Sequence, residues 1–403
     1  MLSIEGEIVD SQPVDYGLPV LRLGFRPFFL AAGIFAIISM AVWMASYIYA
    51  VEFVFSGLSA GLWHAHEMIF GYTVAVIAGF LLTAIKNWTG IEVLRGWMLA
   101  FLFVLWLLPR ILLLSGMVLP LVYIAAVDVS FLVLLIVACV RPVLIVKQYK
   151  QIGIVSKLFL LMLCNVVFYL GVAGVLENGV MWGLYSAVYM IIALVLVMLR
   201  RVMPMFIQNG VDGEVELVNR AWLDNSSLVL LLCLWISDVF AGHGLLTAVF
   251  ASLLTVLHVL RLSGWYTGEI WSKPLLWILL AAYAFIILGF ALKALSVVSA
   301  VSPYLSVHAF TAGGIGLLTI GMMSRVSLGH TGRNVFDPPG IIFWSFAALL
   351  FGAIVRVIFP LFAMGLYTYW VAISQLLWII AFAVFVYVYA PMLLTARVDG
   401  RDG

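Results

Sequence analysis

The chain has 403 residues, of which 66% are hydrophobic and only 9% are charged. Soluble domains hold roughly 45–50% apolar and 25% charged residues, so this composition excludes a water-soluble protein and predicts an integral membrane protein. The net charge is only +2 and the sequence shows no basic patch typical of nucleic-acid binding, so we expect the lipid bilayer as a partner and no nucleic acid.

Apolar segments of about 20 residues, the length of helix that spans a hydrocarbon layer of about 30 Å, recur along the whole chain. We predict twelve helices, at 28–50, 62–85, 97–114, 118–140, 154–176, 181–199, 226–241, 245–262, 275–295, 303–323, 340–358 and 367–390. Their continuous apolarity differs from the alternating pattern of a transmembrane barrel. The expected fold is an all-α bundle that forms a single polytopic membrane domain over 1–403, with tails at 1–27 and 391–403.

The distribution of positive charge predicts the orientation of this bundle. All but three of the 20 lysines and arginines lie in the tails or beside loops that follow even-numbered predicted helices. The exceptions, Arg110, Lys293 and Arg356, lie within odd-numbered helices towards their other ends. Because cytoplasmic loops carry an excess of lysine and arginine, both termini and the even-numbered loops are predicted to be cytoplasmic.

Two of the predicted helices, the second and the tenth, share a skeleton of residues. A histidine is followed 24 residues later by the glycine of a Thr-Gly pair in both, and two further glycines also match. The matched pairs are His66 with His308, Gly71 with Gly313, Gly79 with Gly321, Thr89 with Thr331 and Gly90 with Gly332. A duplicated helix and a chance match in a glycine-rich chain are both open explanations.

Ionisable residues gather at the predicted outer ends of several helices, and such residues at membrane depth usually mark a functional site. His64, His66 and Glu67 begin the second helix, His308 lies one to two turns into the tenth, and His243 occupies the outer turn between the seventh and eighth. These five are the candidate metal ligands. Paired imidazoles bind haem iron and copper, so His66 and His308 form the first candidate pair.

The two histidines of the second helix cannot both bind one metal ion from a regular helix, because His66 points roughly 200° away from His64. Either His66 is the ligand and His64 belongs to a second site, or the reverse. Each histidine also has a purely structural interpretation, as an interfacial, core or turn residue. Arg110 and Arg356 either extend to the lipid head groups or pair with haem propionates.

A second polar group lies at the predicted cytoplasmic end of the tenth helix. It comprises Arg325 and the segment GHTGR at 329–333. This group either anchors the helix through its positive charge, or binds an anion or a partner.

Four sequence blocks carry a resemblance to a known family: FRPFFL (25–30), WHAHEM-x-FG (63–71), GFLLTA (79–84) with NWTG (87–90), and GMMSRVSLGHTGR (321–333). They resemble the signature blocks of the NnrS family. The resemblance implies a twelve-helix inner-membrane protein of bacteria that contains haem, taken as b-type, and copper. It also implies a role in denitrification and in the response to nitric oxide or a related small molecule. The resemblance assigns no ligands; the histidines in its blocks or at the matching positions are His64, His66, His308 and His330.

The architecture also resembles the catalytic subunits of haem–copper oxidases and nitric oxide reductases, which hold a haem near the outer ends of their second and tenth helices. Their binuclear centre needs histidines on the sixth and seventh helices, and predicted helix 181–199 has none. That mechanism is therefore not expected, and enzymatic activity stays open. The sequence is compatible with three functions. The first is sensing, scavenging or detoxifying nitric oxide with a haem near the outer leaflet. The others are transport of a metal, haem or small anion, and assembly of respiratory enzymes.

Overall fold

The structure, a computed structural model, describes residues 17–116, 119–242 and 244–401. Within these residues twelve helices are long and apolar enough to cross a membrane, which confirms the predicted all-α bundle and a multi-pass membrane protein. The twelve are α1 (Phe25–Tyr49), α2 (Ala60–Thr89), α3 (Gly96–Leu114), α4 (Leu121–Ile145), α5 (Ile152–Val172), α6 (Gly179–Gly210), α7 (Ala221–Val239), α8 (Leu245–Trp265), α9 (Pro274–Val298), α10 (Pro303–His330), α11 (Ile341–Val357) and α12 (Tyr367–Leu394).

Several helices extend beyond the apolar segments that predicted them. The largest difference is in α6, predicted to end at residue 199, which continues through Pro204 to Gly210. Proline removes a backbone hydrogen bond inside a helix. Packing beyond the proline offsets that loss, since Arg325 of α10 lies 3.8 Å from the centre of the Phe206 ring and Leu276 of α9 packs on Gly210.

Four helices form the centre of the bundle. Between 72% and 83% of the apolar window of α2, α6, α9 and α10 is buried, against 28–44% for the other eight helices. The eight peripheral helices therefore present most of the apolar surface that contacts lipid. Both helices with matched histidines are central, so polar groups that they carry are shielded from lipid.

The matched helices α2 and α10 share an internal break. His66 and His308 each end a first α-helical segment, and each is followed by seven residues of π-helix, Glu67–Thr73 in α2 and Ala309–Ile315 in α10. The α-helix then resumes at the equivalent residue in both. Isolated π-helical turns occur frequently at functional sites.

The matched helices also end alike. The Thr89 hydroxyl donates to the Ile85 carbonyl and the Thr331 hydroxyl to the Ser327 carbonyl, each at 2.7 Å. The glycine that follows each threonine has a positive φ, +70° in α2 and +78° in α10. The position of the π-helical break, the threonine–glycine end and the spacing between them agree in α2 and α10. This agreement supports a structural duplication of the helix.

Direct contacts join the two matched helices and the two chain ends. The Tyr72 hydroxyl of α2 lies 2.6 Å from the Thr319 hydroxyl of α10. Arg26, at the start of α1, donates to the carbonyls of Leu393 and Thr395 at the end of α12, at 3.0 and 2.7 Å. Both ends of the described chain therefore lie at one face of the bundle, and the matched histidines lie towards the opposite face.

Candidate functional site

His66 lies in a fully buried polar network between α2, α4 and α5. Its Nδ1 is 2.9 Å from Glu67 Oε1, and its Nε2 is 3.1 Å from Asn165 Oδ1 and 3.4 Å from Asp128 Oδ2. The Asn165 amide nitrogen donates to Asp128 Oδ2 at 2.9 Å, which fixes the amide with its oxygen towards the imidazole. The imidazole also stacks on Phe168, with ring centres 4.8 Å apart. Both ring nitrogens face oxygen acceptors, so neither is free to bind a metal in this arrangement.

Arg110 of α3 completes this network. Its Nε lies 2.9 Å from Glu67 Oε2, and its Nη2 donates to Asp128 Oδ1 at 2.5 Å. Two carboxylates thus face one guanidinium and one imidazole, all within the membrane-spanning part of the bundle. Removing one member of such a buried set leaves a charge without a partner, so the network holds α2, α3 and α4 together. We call it the Arg110 network.

The same network supports the π-helical break in α2. A π-helical turn shifts the backbone hydrogen bonds and leaves carbonyls without their usual partners. Here Arg110 Nη1 donates to the Phe70 carbonyl and the Trp106 indole donates to the Gly71 carbonyl, each at 3.0 Å. The position of the π segment is therefore fixed by two side chains of α3.

His308 has different surroundings, on α10. Its Nδ1 donates to the Tyr304 carbonyl at 2.7 Å, which leaves the Nε2 lone pair to accept a hydrogen bond from Arg356 Nη2 at 3.1 Å. The guanidinium of Arg356 lies over the Tyr367 ring, 5.0 Å from its centre. The backbone carbonyl thus sets the tautomer of a half-buried imidazole whose Nε2 is available to a ligand.

His64 belongs with His308 rather than with its neighbour His66. Its ring stacks on Trp43 of α1 with centres 4.7 Å apart and planes 8° apart, and its Nδ1 is buried without a hydrogen-bond partner. Arg356, which donates a hydrogen bond to His308, also lies within electrostatic range of His64. His64, His308 and Arg356 therefore form one electrostatic group, which we call the His64–His308 cluster.

The three cations predicted near the outer ends of their helices, Arg110, Lys293 and Arg356, differ in their partners. Arg110 faces two carboxylates, and the ammonium of Lys293 lies 3.0 Å from Asp238 Oδ2, which also accepts from the Tyr189 hydroxyl at 2.8 Å. Arg356 forms no ion pair with any of the residues described above. It is thus the cation best able to pair with an anionic group from outside the protein.

The remaining candidates are separate from this cluster. The Glu67 carboxylate pairs with Arg110 and His66. His243 lies outside the described residues. His330 is at the opposite end of α10, 3.4 Å from the Asn87 amide. Across residues 17–116, 119–242 and 244–401, no group of three or more His, Cys, Asp or Glu side chains is arranged to hold a metal ion.

Four partners of these histidines are not candidates by sequence: Trp43, Asn165, Tyr169 and Tyr304. Tyr169 donates to Asp128 Oδ2 at 3.1 Å, and the other three contact a histidine. Asn165 carries the clearest signal, because an amide in an otherwise apolar span requires a polar partner. Tyr304 contributes only its backbone carbonyl, which no side-chain pattern predicts.

Fold and site together define a multi-pass membrane protein with two matched helices, each of which places a histidine before a π-helical turn. A comparison with protein families finds a match to the NnrS protein family over residues 19–397. The chain belongs to the NnrS family and is thus a membrane protein of the nitric oxide response. No curated protein matches the chain.

Proposed function

We propose that the protein binds a haem through His64 and His308, and uses it to sense, scavenge or detoxify nitric oxide near the outer face of a bacterial inner membrane. One observation supports the ligand pair above all. His64 and His308 each have a ring nitrogen that forms no hydrogen bond with a carboxylate or carbonyl. Both ring nitrogens of His66, by contrast, form such hydrogen bonds.

The donor set suits an iron ligand. Metal-binding histidines usually donate their second ring N–H to a carbonyl or carboxylate, which orients the ring and raises the basicity of the free nitrogen. His308 has this arrangement, with the Tyr304 carbonyl as acceptor. Trp43 holds the plane of His64 by stacking. Each of the two histidines could therefore supply one ring nitrogen to a haem iron.

Arg356 suits a haem propionate. Its guanidinium has no carboxylate partner among the described residues, and its Nη1 is buried without any hydrogen bond. A buried guanidinium gains two charge-assisted hydrogen bonds from a carboxylate. Arg110 is less suited, because pairing with a propionate would require it to leave Glu67 and Asp128.

A bound haem would supply a ferrous iron able to bind nitric oxide once one of the two imidazoles is released. The protein residues would orient the group and neutralise its charge. Copper is the second cofactor that the family resemblance implies. Among the described residues no three His, Cys, Asp or Glu side chains are arranged to hold a copper ion.

Absorption spectra of the purified protein test this proposal. Protein from a haem-replete host is expected to show a Soret band that is lost in His64→Ala and in His308→Ala. His330→Ala, a histidine at the other end of α10, is the matched control and should keep the band. Arg356→Gln should keep the band but lose haem faster on dilution, because the ligands remain and the propionate partner is gone.

Two results would count against the proposal. A colourless, iron-free wild-type preparation would reject haem binding and leave transport of a metal, haem or small anion as the better candidate, since duplicated helices with central breaks are typical of transporters. A band lost in a folded His66→Ala variant but kept in His64→Ala would restore His66 and His308 as the ligand pair.

A further inference from the structure

The face of the bundle opposite the His64–His308 cluster contains a small cavity of about 20 Å³ that opens to the surface. It lies where α6 ends, α9 begins and α10 approaches its end, on the predicted cytoplasmic side. Arg325, which lines it, is 17 residues after His308, or about 25 Å along a helix at 1.5 Å per residue. The cavity is therefore separate from the candidate haem site.

Arg325 is a half-buried cation without an acidic partner. No hydrogen bond or ion pair to its guanidinium occurs among the described residues, and its flat face lies 3.8 Å from the centre of the Phe206 ring. By contrast, Arg200 and Arg261, towards the same face, lie 3.3 and 2.8 Å from the carboxylate of Asp224. Unlike these two arginines, Arg325 has no carboxylate partner among the described residues, so its guanidinium can pair with an anion.

The rest of the cavity wall is positive or apolar. Lys273 contributes an ammonium, held 2.7 Å from the carboxylate of Asp212, whose side chain is 83% exposed. Such an exposed pair is weak. The first turn of α9, which begins at Pro274, also lines the cavity and directs the positive end of a 25-residue helix towards it. Together these groups leave the cavity with an excess of positive charge.

We infer that this cavity binds an oxyanion in the form of a phosphate group, with Arg325 as the principal ligand. The planar guanidinium can donate two parallel hydrogen bonds to phosphate oxygens while its face stays on Phe206. Lys273 and the start of α9 add positive charge on the neighbouring wall. The phosphate comes either from a free anion or from the head group of an anionic phospholipid.

The test uses purified full-length protein in a neutral detergent. Its thermal unfolding is followed with increasing inorganic phosphate and, separately, with sodium chloride at equal ionic strength. A second arm measures retained phosphatidylglycerol by native mass spectrometry after exchange from vesicles of phosphatidylcholine alone or with phosphatidylglycerol. Arg325→Gln is the test variant, and Arg220→Gln is the control, because it removes the same charge from an exposed position towards the same face.

We expect stabilisation by phosphate beyond that by chloride, or retention of phosphatidylglycerol, in the wild type and in Arg220→Gln. Arg325→Gln should weaken the effective interaction about tenfold or more, as loss of a charged hydrogen-bond pair does. An effect of phosphate alone identifies a free anion, and retention of the lipid identifies a head group. No effect of either on the wild type, or equal effects on both variants, would overturn the proposal; the wild-type measurement decides even if Arg325→Gln does not fold.

Discussion

His66 and His308 occupy equivalent positions in α2 and α10, but the charges around them differ. Each is the last residue before a π-helical segment of seven residues. Two carboxylates and the guanidinium of Arg110 surround His66, whereas the ring of His308 forms its hydrogen bonds, within the described part of the chain, with the Tyr304 carbonyl and Arg356. The same backbone thus supports a closed ionic network in one copy and a site with an unpaired cation in the other.

The two π segments are also held in place by different means. In α2, side chains of α3 bond to carbonyls of the segment. In α10, three glycines let neighbouring side chains pack directly on the backbone: Phe285 against Gly313, Ile286 against Gly314 and Trp378 against Gly316. Hydrogen bonds add to the packing of Phe35 on Gly71 in the first segment, and close apolar packing holds the second. This difference predicts which substitutions each copy tolerates.

The largest expected effect is a difference in stability between variants of Arg110 and of Arg356. Arg110→Met leaves Glu67 and Asp128 buried without a cation, and we expect it to lower the free energy of unfolding by about 3–5 kcal/mol. Arg356→Met removes one hydrogen bond and an unpaired charge, and should change the same quantity by about 1 kcal/mol or less. Chemical unfolding of both variants in one detergent, without added haem, measures the difference.

Similar losses of unfolding free energy in the two variants would contradict this prediction, because Arg356 would then stabilise the fold as much as Arg110 does. Asp128→Asn provides the control within the network. It keeps the volume of the side chain but removes one charge, so its loss should lie between those of the two arginine variants.

The fold was largely predictable from sequence, and the pairing of the histidines was not. Runs of apolar residues near 20 long determine the number of helices, because the bilayer sets their length. They do not determine helix ends, as the continuation of α6 through Pro204 illustrates. Sequence spacing could show that His64 and His66 point apart. Which of them lies near His308 depends on contacts between distant helices, such as Trp43 with His64 and Asn165 with His66.

A second prediction concerns the glycines inside the breaks. A methyl group at Gly71 would lie 2.6 Å from the Phe35 ring and 2.8 Å from Glu67 Oε2, and one at Gly313 would lie 2.2 Å from the Phe285 ring. Gly71→Ala and Gly313→Ala should each lower the free energy of unfolding by about 1–3 kcal/mol through overpacking. Gly61→Ala, in open space on the same helix, is the control and should be neutral or slightly stabilising.

Combining these variants with Arg110→Met tests the mechanism of each loss. Gly71→Ala acts partly through Glu67, so its effect should shrink once Arg110 is gone, whereas the effect of Gly313→Ala should stay additive. If the losses of unfolding free energy from both glycine variants add fully to that from Arg110→Met, the Arg110 network does not contact the first π segment.

The smallest expected effects lie at the shared ends of the two helices. Gly90 and Gly332 both adopt the left-handed conformation, which costs a residue with a side chain roughly 1–2 kcal/mol. Gly90→Ala and Gly332→Ala should therefore destabilise by similar amounts, which thermal unfolding of the two proteins would show. A methyl group at Gly332 would also approach the Asp399 carboxylate to 3.1 Å. The backbone of this tail bonds to α10 through Val398 and Thr331, but the Asp399 side chain is exposed and can rotate aside. If Gly332→Ala proves much the more harmful, the tail packs firmly on α10, and the two ends are alike in backbone only.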